Sequence, residues 1–126
     1  MAVPTDRKYL PSHEWHKLDG DICTLGITKF AADELTDITY VSLPSVGKEL
    51  TAGKPFGEIE SVKATSDLYT GVSGVVTEVN AKLGDAPELV NNDPFNGGWM
   101  LKVRITNRTQ LDKLLSAADY EKQVGH

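Results

Sequence analysis

The chain has 126 residues, of which 40% are hydrophobic and 25% are charged, as expected for one globular domain. Its formal net charge of −5 argues against a nucleic-acid-binding protein, because such proteins carry a basic surface. No apolar run reaches the roughly 18 residues that span a bilayer, and residues 1–15 lack the apolar core of a secretory signal. We therefore expect no membrane contact and a cytoplasmic (bacterial) location, or the mitochondrial matrix for a processed organellar form.

Short segments punctuated by glycine and proline predict a mainly β fold. Residues 14–18 and 22–27 are separated by Asp19-Gly20-Asp21, which is typical of a hairpin connection. Residues 37–43 alternate in polarity and end at Pro44, which favours another strand. Further strands are expected at 48–51, 55–60, 65–69, 73–79 and 98–105. So many short strands favour a small sandwich or barrel.

Two helical segments are also predicted. Thr28 is a suitable N-cap for a short helix through KFAADEL at 29–35. A C-terminal helical tail is expected at about 109–123, where Thr109 and Asp112 resemble a capping box. Its apolar residues recur at positions i, i+3, i+4 and i+7: Leu111, Leu114, Leu115 and Ala118. This spacing predicts one helical face packed on the sheet.

The residues that usually carry metal or catalytic chemistry give little signal. The single cysteine, Cys23, lies in the apolar run 22–27 and is predicted to be a buried core residue. The histidines, His13, His16 and His126, have no metal-binding spacing, so we predict no metal site. His13-Glu14-Trp15 is interpreted as a structural turn. Neither a nucleophile elbow nor a phosphate-binding loop is present, which argues against an enzyme.

One lysine has an unusual setting. Lys63 lies in ESVKATSDLY at 60–69, between two predicted strands and among the compact residues Ser61, Val62 and Ala64. A Schiff-base lysine needs a desolvated pocket that lowers its pKa, whereas a hairpin tip exposes its side chain. Lys63 is therefore interpreted either as an ordinary solvated charge or as the attachment point for a modifying enzyme.

ESVKATSDLY, followed by VSGVVTEVN, resembles the lipoylation segment of the glycine cleavage system H protein family. SHEW at 12–15, GITKFAADELTDITYVSLPSVG at 26–47 and ELVNNDPFNGGWMLKV at 88–103 resemble the family's other signatures, in the same order. The resemblance covers nearly the whole chain. It implies a single lipoyl-carrier domain over 1–126, a lipoyl-domain-like sandwich of two antiparallel sheets (barrel-sandwich hybrid) with short helices and the lipoyl hairpin around 60–69.

The same resemblance implies a non-catalytic carrier with lipoic acid in amide linkage to Lys63. Such a carrier shuttles the aminomethyl group of glycine from the PLP-dependent glycine decarboxylase to a tetrahydrofolate-dependent aminomethyltransferase, and dihydrolipoamide dehydrogenase then reoxidises it. Lipoate-attaching enzymes complete the expected partners, and the free protein is expected to be monomeric. Biotin is disfavoured, because biotinyl domains carry methionines where this chain has Val62 and Ala64.

The loaded arm is expected to fold back on the protein surface, where an acidic group pairs with its ammonium and apolar walls exclude water. Glu14 in SHEW and Asp67, four residues beyond Lys63, are the candidate acids, with Ser12 as a hydrogen-bond acceptor. Without the resemblance, both carboxylates are equally well explained as turn-forming or solvated groups.

Two positions depart from the family pattern. Lys29 stands where an acidic residue usually follows Gly-Ile-Thr, and Gly71 stands where a proline usually precedes Val-Ser-Gly. Without the proline's fixed φ, the entry to the following strand is expected to be more flexible. Two alternative functions stay open, namely a lipoate relay that donates lipoyl groups to other lipoyl domains, and an unmodified scaffold protein.

Overall fold

The computed structural model describes residues 3–124, and this part of the chain folds as two antiparallel β sheets. The larger sheet contains, in spatial order, β1 (Lys8–Tyr9), β2 (Glu14–Asp19), β3 (Ile22–Ile27), β9 (Leu101–Ile105), β8 (Gly74–Val79) and β5 (Glu49–Leu50). The smaller sheet contains β4 (Ile38–Ser42), β6 (Pro55–Ser61) and β7 (Thr65–Tyr69). The predicted mainly β fold of two antiparallel sheets is therefore confirmed.

Five helical segments connect or flank the strands of this region: α1 (Lys29–Leu35), α2 (Lys82–Asp85), α3 (Leu89–Asn92), a 3₁₀ helix (Arg108–Lys113) and α4 (Ala117–Val124). The predicted cap of α1 is confirmed, because Thr28 Oγ1 accepts the backbone N–H of Ala31 at 3.3 Å. None of these helices is long and apolar enough to cross a membrane.

The main core lies between the two sheets. Leu25, Val76 and Val103 from the larger sheet pack with Ile59 and Leu68 from the smaller one, and each is at most 2% exposed. Alternation along β6 and β7 places these apolar side chains inward and turns their carboxylate neighbours outward. The hairpin that contains Lys63 is consequently rooted in the core through its own strands.

A second, smaller core packs β1 and β2 against α4. Tyr9 and Tyr120 stack with their ring centroids 4.8 Å apart, and Trp15 lies beside them, all three at most 1% exposed. Gly26 lies opposite Trp15 in the β2–β3 register, and a Cβ at Gly26 would approach the indole to 2.6 Å. The glycine therefore makes room for the indole ring that anchors this core.

The C-terminal segment differs from the continuous helix predicted at 109–123. The 3₁₀ helix ends at Lys113, and Leu115 then exchanges two backbone hydrogen bonds with Tyr9, at 2.7 and 2.8 Å, before α4 begins. The expected capping box is wrong, because Asn107 caps the 3₁₀ helix by accepting the N–H of Thr109. Ala118 is exposed, so the predicted apolar face also breaks after Leu115.

Several element boundaries also differ from those predicted. The strand expected at 98–105 begins only at Leu101, and that expected at 48–51 is the two-residue β5. The structure adds β1, α2 and α3, which were not predicted. His126 lies outside the described residues.

Candidate functional site

A tight turn between β6 and β7 holds Lys63. Glu60 pairs with Thr65 across the hairpin, and the Ser61 N–H donates to the Ala64 carbonyl at 2.8 Å. The Ser61 hydroxyl oxygen accepts the N–H groups of Lys63 and Ala64, at 3.3 and 3.2 Å. Because these hydrogen bonds satisfy the turn locally, its side chains are free to project into solvent.

The tip of this hairpin is exposed but its backbone is held. Lys63 is exposed, and the Val62 side chain beside it is 66% exposed. The Val62 N–H donates to the carbonyl of Asp37 at 3.0 Å, which fastens the turn to the start of β4. Among the described residues, Lys63 forms no ion pair. The arrangement presents one primary amine on a fixed root.

A pocket of about 180 Å³ lies between α1, β2 and the two strands of the hairpin. Its polar lining includes Ser12, His13, Glu14, Glu34, Ser66 and Asp67. Its apolar lining includes Leu35, Ile59 and Leu68. This volume is several times the roughly 30 Å³ of one water molecule, so the pocket has room for a small charged group and part of its carrier.

Glu14 is the buried acid of this pocket, with only 1% exposure. Its Oε1 accepts the Ser12 hydroxyl at 2.5 Å and its Oε2 accepts the Tyr69 N–H at 2.8 Å. Burial raises the pKa of Glu14, and the two hydrogen bonds oppose that rise. Ser12 therefore donates its hydroxyl proton to this carboxylate, and its oxygen keeps lone pairs that are able to accept a further hydrogen bond. Each carboxylate oxygen retains a lone pair for a further donor.

Asp67 lies on β7 at the same pocket and is exposed. Four residues at about 3.3 Å each separate its Cα from that of Lys63 by at most about 13 Å. A lysine extended by lipoate reaches roughly 14 Å, from bonds of about 1.5 Å each. An arm of this length rooted at Lys63 therefore reaches as far as Asp67, one of the residues that line the pocket.

The sequence prediction missed the contribution of α1. Ala31, Glu34 and Leu35 fall at i, i+3 and i+4 of this helix, and all three line the pocket. This spacing indicates that the three side chains share one face of the helix. It does not indicate which part of the protein that face packs against. His13, interpreted as part of a turn, also lines the pocket and has a positive φ of 86°.

The two departures from the family pattern have local partners. Lys29 Nζ pairs with Asp33 Oδ1 at 2.8 Å, one turn further along α1, on the exposed side of the helix. The Gly71 N–H donates to Nε2 of His16 at 2.9 Å, a bond that proline has no hydrogen to make. The strand entry that was expected to be flexible is thus buried and hydrogen-bonded in this chain.

Two other candidates, a metal site and a reactive cysteine, find no support in residues 3–124. No group of three or more His, Cys, Asp or Glu side chains there is placed to hold a metal ion. Cys23 is fully buried, as predicted, and burial raises the pKa of its thiol to about 12. A thiol in that state is not a nucleophile near neutral pH.

Fold and site together define a class of protein, a carrier domain in which a rigid β sandwich presents a hairpin lysine beside a small acidic pocket. Comparison with known proteins identifies the family. The model of the family described as Glycine cleavage H-protein matches residues 7–126, and the chain belongs to that family. The predictions of a glycine cleavage carrier component, and of a protein that is not itself the catalyst, are confirmed, and members of this family carry lipoate.

Individual relatives support this assignment along the full chain. A glycine cleavage system H protein of Carboxydothermus hydrogenoformans is 56% identical over 121 residues, covering 96% of this chain and 93% of the relative. A probable glycine cleavage system H protein of Haloarcula marismortui is 53% identical over 122 residues, covering 97% and 96%. The crystal structure of a Mycobacterium marinum glycine cleavage system H protein superposes with a TM-score of 0.91 at 38% identity, covering 98% of this chain and 100% of that one.

Proposed function

We propose that Lys63 Nζ carries lipoic acid in amide linkage, and that the chain shuttles the aminomethyl group of glycine from the PLP-dependent decarboxylase to the tetrahydrofolate-dependent aminomethyltransferase. Dihydrolipoamide dehydrogenase then restores the oxidised carrier. One observation carries this proposal: Lys63 is exposed at the tip of a hairpin whose strand β7 also lines a pocket with a buried carboxylate.

The residues present fit a lipoyl group. The amine of Lys63 is accessible for acylation, and its turn is closed by backbone and Ser61 hydrogen bonds that acylation leaves intact. When attached, the lipoyl group supplies a disulfide that takes up the aminomethyl group and remains as a dithiol once the group has been passed on. A fixed root with a long tether keeps the cargo at an effective concentration of about millimolar for each partner site.

Glu14 is the central residue for protecting the cargo. The aminomethyl group on sulfur is stable to water while its amine is protonated. When the ammonium loses its proton, the lone pair on nitrogen expels the sulfur, and water then destroys the carried group. Glu14 holds that proton on the amine by pairing with the ammonium form. Burial raises the pKa of Glu14, and an ammonium ion beside it favours the ionised carboxylate again.

The neighbours of Glu14 have supporting roles. Ser12 orients one oxygen of the carboxylate and the Tyr69 N–H orients the other. Ile59, Leu68 and Leu35 form apolar walls that exclude water. Asp67 lies exposed at the pocket and adds a screened, weaker attraction for a cation.

We further propose a single lipoyl-carrier domain over 1–126, with the lipoyl hairpin around 60–69, that is cytoplasmic and monomeric when free. Its proposed partners are the three enzymes named above and the lipoate-attaching enzymes. Bacterial and archaeal relatives of similar length support the location and the extent of the domain.

Reconstitution tests this function. Lipoylated chain mixed with the decarboxylase, the aminomethyltransferase and the dehydrogenase is expected to support glycine-dependent reduction of NAD, and the Lys63→Arg variant is expected to support none. Activity of the Lys63→Arg variant at the wild-type level would overturn the proposal. A relay is separated from a carrier by the same assay, since a chain that only donates lipoyl groups gives no glycine-dependent turnover.

A further inference from the structure

Two backbone N–H groups, at the end of β7 and just beyond it, are accepted by side chains of β2. The Tyr69 N–H donates to Oε2 of Glu14 at 2.8 Å, and the Gly71 N–H donates to Nε2 of His16 at 2.9 Å. β7 is an edge strand of the smaller sheet, and here side chains take the place of a further strand. Donors and acceptors are each two residues apart, about 6.6 Å in extended chain, so both bonds form in one register.

The bond to His16 fixes the protonation of its ring. A backbone amide can only donate, so Nε2 is the bare nitrogen and the ring proton lies on Nδ1. His16 is 1% exposed, and Nδ1 is buried without a hydrogen-bond partner among the described residues. An apolar side chain would avoid the cost of that unpaired donor. What the imidazole contributes here is therefore the acceptor at Nε2.

This acceptor joins parts of the two sheets. β2 is an interior strand of the larger sheet, paired with β1 and β3. The chain beyond β7 is attached to the smaller sheet through Thr70, whose N–H donates to the Lys54 carbonyl at 3.2 Å and whose carbonyl accepts the Gly53 N–H at 2.8 Å. The bond from Gly71 to His16 lies one residue further on and ties the same stretch of chain to β2.

Glycine at position 71 allows this close approach. A Cβ there would come within 2.6 Å of Leu114 Cδ2 and 3.2 Å of Nε2 of His16. Proline would also lack the N–H that the ring accepts. Gly71 and His16 therefore form a matched donor and acceptor.

We propose that His16 is a positioning residue for the pocket: by accepting the Gly71 N–H, it holds the chain so that the Tyr69 N–H stays directed at Glu14. Glu14 pairs with a carried ammonium only while its carboxylate is oriented and ionised. The hydrogen bond from Tyr69 serves both ends, because it fixes one oxygen and lowers the pKa of this carboxyl against the effect of burial. The inference rests on the proposed function, since it specifies how the same pocket keeps its acid in place.

Three variants separate this role from general stability. His16→Gln keeps an acceptor, because the glutamine oxygen is as many bonds from Cα as Nε2 of histidine, whereas His16→Leu has none. Gln110→Leu is the matched control, since Gln110 Oε1 accepts the Ser73 N–H at 2.7 Å from the 3₁₀ helix. All three leave in place the other titratable groups near Glu14, which are His13, Glu34 of α1, Asp67 of β7 and Tyr120 of α4.

The unloaded protein gives the first readout. Carbon NMR of the Glu14 carboxyl is expected to show a higher pKa in His16→Leu than in wild type, because a weakened bond from Tyr69 stabilises the ionised form less. Hydrogen exchange at the Tyr69 amide is expected to be about fivefold faster, the equivalent of one neutral hydrogen bond. His16→Gln is expected to match wild type in both. An unchanged Glu14 pKa in His16→Leu would overturn the proposal.

Nitrogen NMR of the wild-type protein tests the bond even if His16→Leu does not fold. The His16 ring is expected to show the Nδ1–H tautomer at pH 7, where burial keeps it neutral by lowering its pKa to about 4. An Nε2–H tautomer would exclude the bond from Gly71 and overturn the proposal.

The lifetime of the carried group gives the functional readout. Reduced lipoylated protein is loaded with formaldehyde and ammonia, which form the aminomethyl group with release of water. His16→Leu is expected to lose the group about two- to fivefold faster than wild type, with His16→Gln and Gln110→Leu unchanged. Equal acceleration in His16→Leu and Gln110→Leu would assign the effect to general loosening and contradict the proposal.

The outcomes distinguish this inference from the function on which it rests. A faster rate in Glu14→Gln with an unchanged rate in His16→Leu overturns the role of His16 and leaves the pocket's role intact. Unchanged rates in both, with a raised Glu14 pKa in His16→Leu, overturn pocket protection and support the positioning of Glu14 by His16.

Discussion

Replacing Glu14 by glutamine is expected to shorten the lifetime of the loaded carrier without weakening the fold. The amide has nearly the volume of the carboxylate, and its oxygen is able to accept the Tyr69 N–H that Glu14 now accepts at 2.8 Å. Its NH₂ group is able to donate to Ser12. The substitution therefore removes a charge at a site with 1% exposure while retaining both hydrogen-bonded contacts.

The expected change in stability follows from the raised pKa of Glu14. The folded protein binds this proton more tightly than the unfolded chain, where the pKa is about 4.5. The protonated form of Glu14 stabilises the fold fully at pH values below the pKa of the unfolded chain, and this contribution is lost as pH rises through the raised pKa of the folded protein. The ionised carboxylate therefore opposes folding at pH 7. The free energy of unfolding of Glu14→Gln, measured in urea, is therefore expected to be at most about 1 kcal/mol below that of wild type, or to exceed it.

The expected change in lifetime is larger. A hydrogen bond to a charged group contributes about 1.5–3 kcal/mol, which corresponds to roughly 10- to 150-fold in the rate at which the carried group is lost. Release of formaldehyde from the loaded protein at pH 7 measures this rate. Glu14→Ala serves as the contrast, because it also leaves the Tyr69 N–H unpaired and is expected to cost about 1–3 kcal/mol of stability. A Glu14→Gln protein that keeps its cargo as long as wild type would refute the protective role of Glu14.

Four further predictions concern single side chains. Lys63→Arg is expected to abolish glycine turnover with the partner enzymes while leaving the thermal midpoint unchanged, and Lys54→Arg, at another exposed lysine, is expected to leave both intact. Asp67→Asn is expected to alter the loaded lifetime by less than about threefold, because its exposed charge is screened; a tenfold loss would contradict this. Cys23 is expected to resist iodoacetamide at pH 8 in the native protein and to react in urea, since burial raises its thiol pKa to about 12. Burial lowers the pKa of His16 from 6.5 to about 4, so this group is expected to remove about 3 kcal/mol from the free energy of unfolding in urea as pH falls across that window, and His16→Gln is expected to remove that part of the loss.

The hairpin and the first helix were predictable because their determinants are local. Strand residues flank a short turn at 60–69, and one hydroxyl at Thr28 caps a segment with helical composition. The Ser12, Glu14 and Asp67 side chains were named from a family resemblance, and the structure brings all three to one pocket. Their predicted roles depend on the lifetime measurements above.

The predictions that were wrong or incomplete concern segments whose conformation or position depends on contacts with residues distant in sequence. Leu115 has the spacing of a helical residue, yet its backbone pairs with Tyr9 more than a hundred residues earlier, which interrupts the predicted helix. Glu34 reaches the pocket only because α1 lies beside residues 12–14, a placement that no local pattern specifies.

The most direct test of the central claim is the intact mass of the protein from cells that make lipoate, followed by fragmentation to locate any modification. Acylation of Lys63 predicts an increase of about 188 Da confined to the peptide that contains this residue. A chain of unmodified mass, or the same increase on a different lysine, would contradict the assignment of the hairpin as the carrier site.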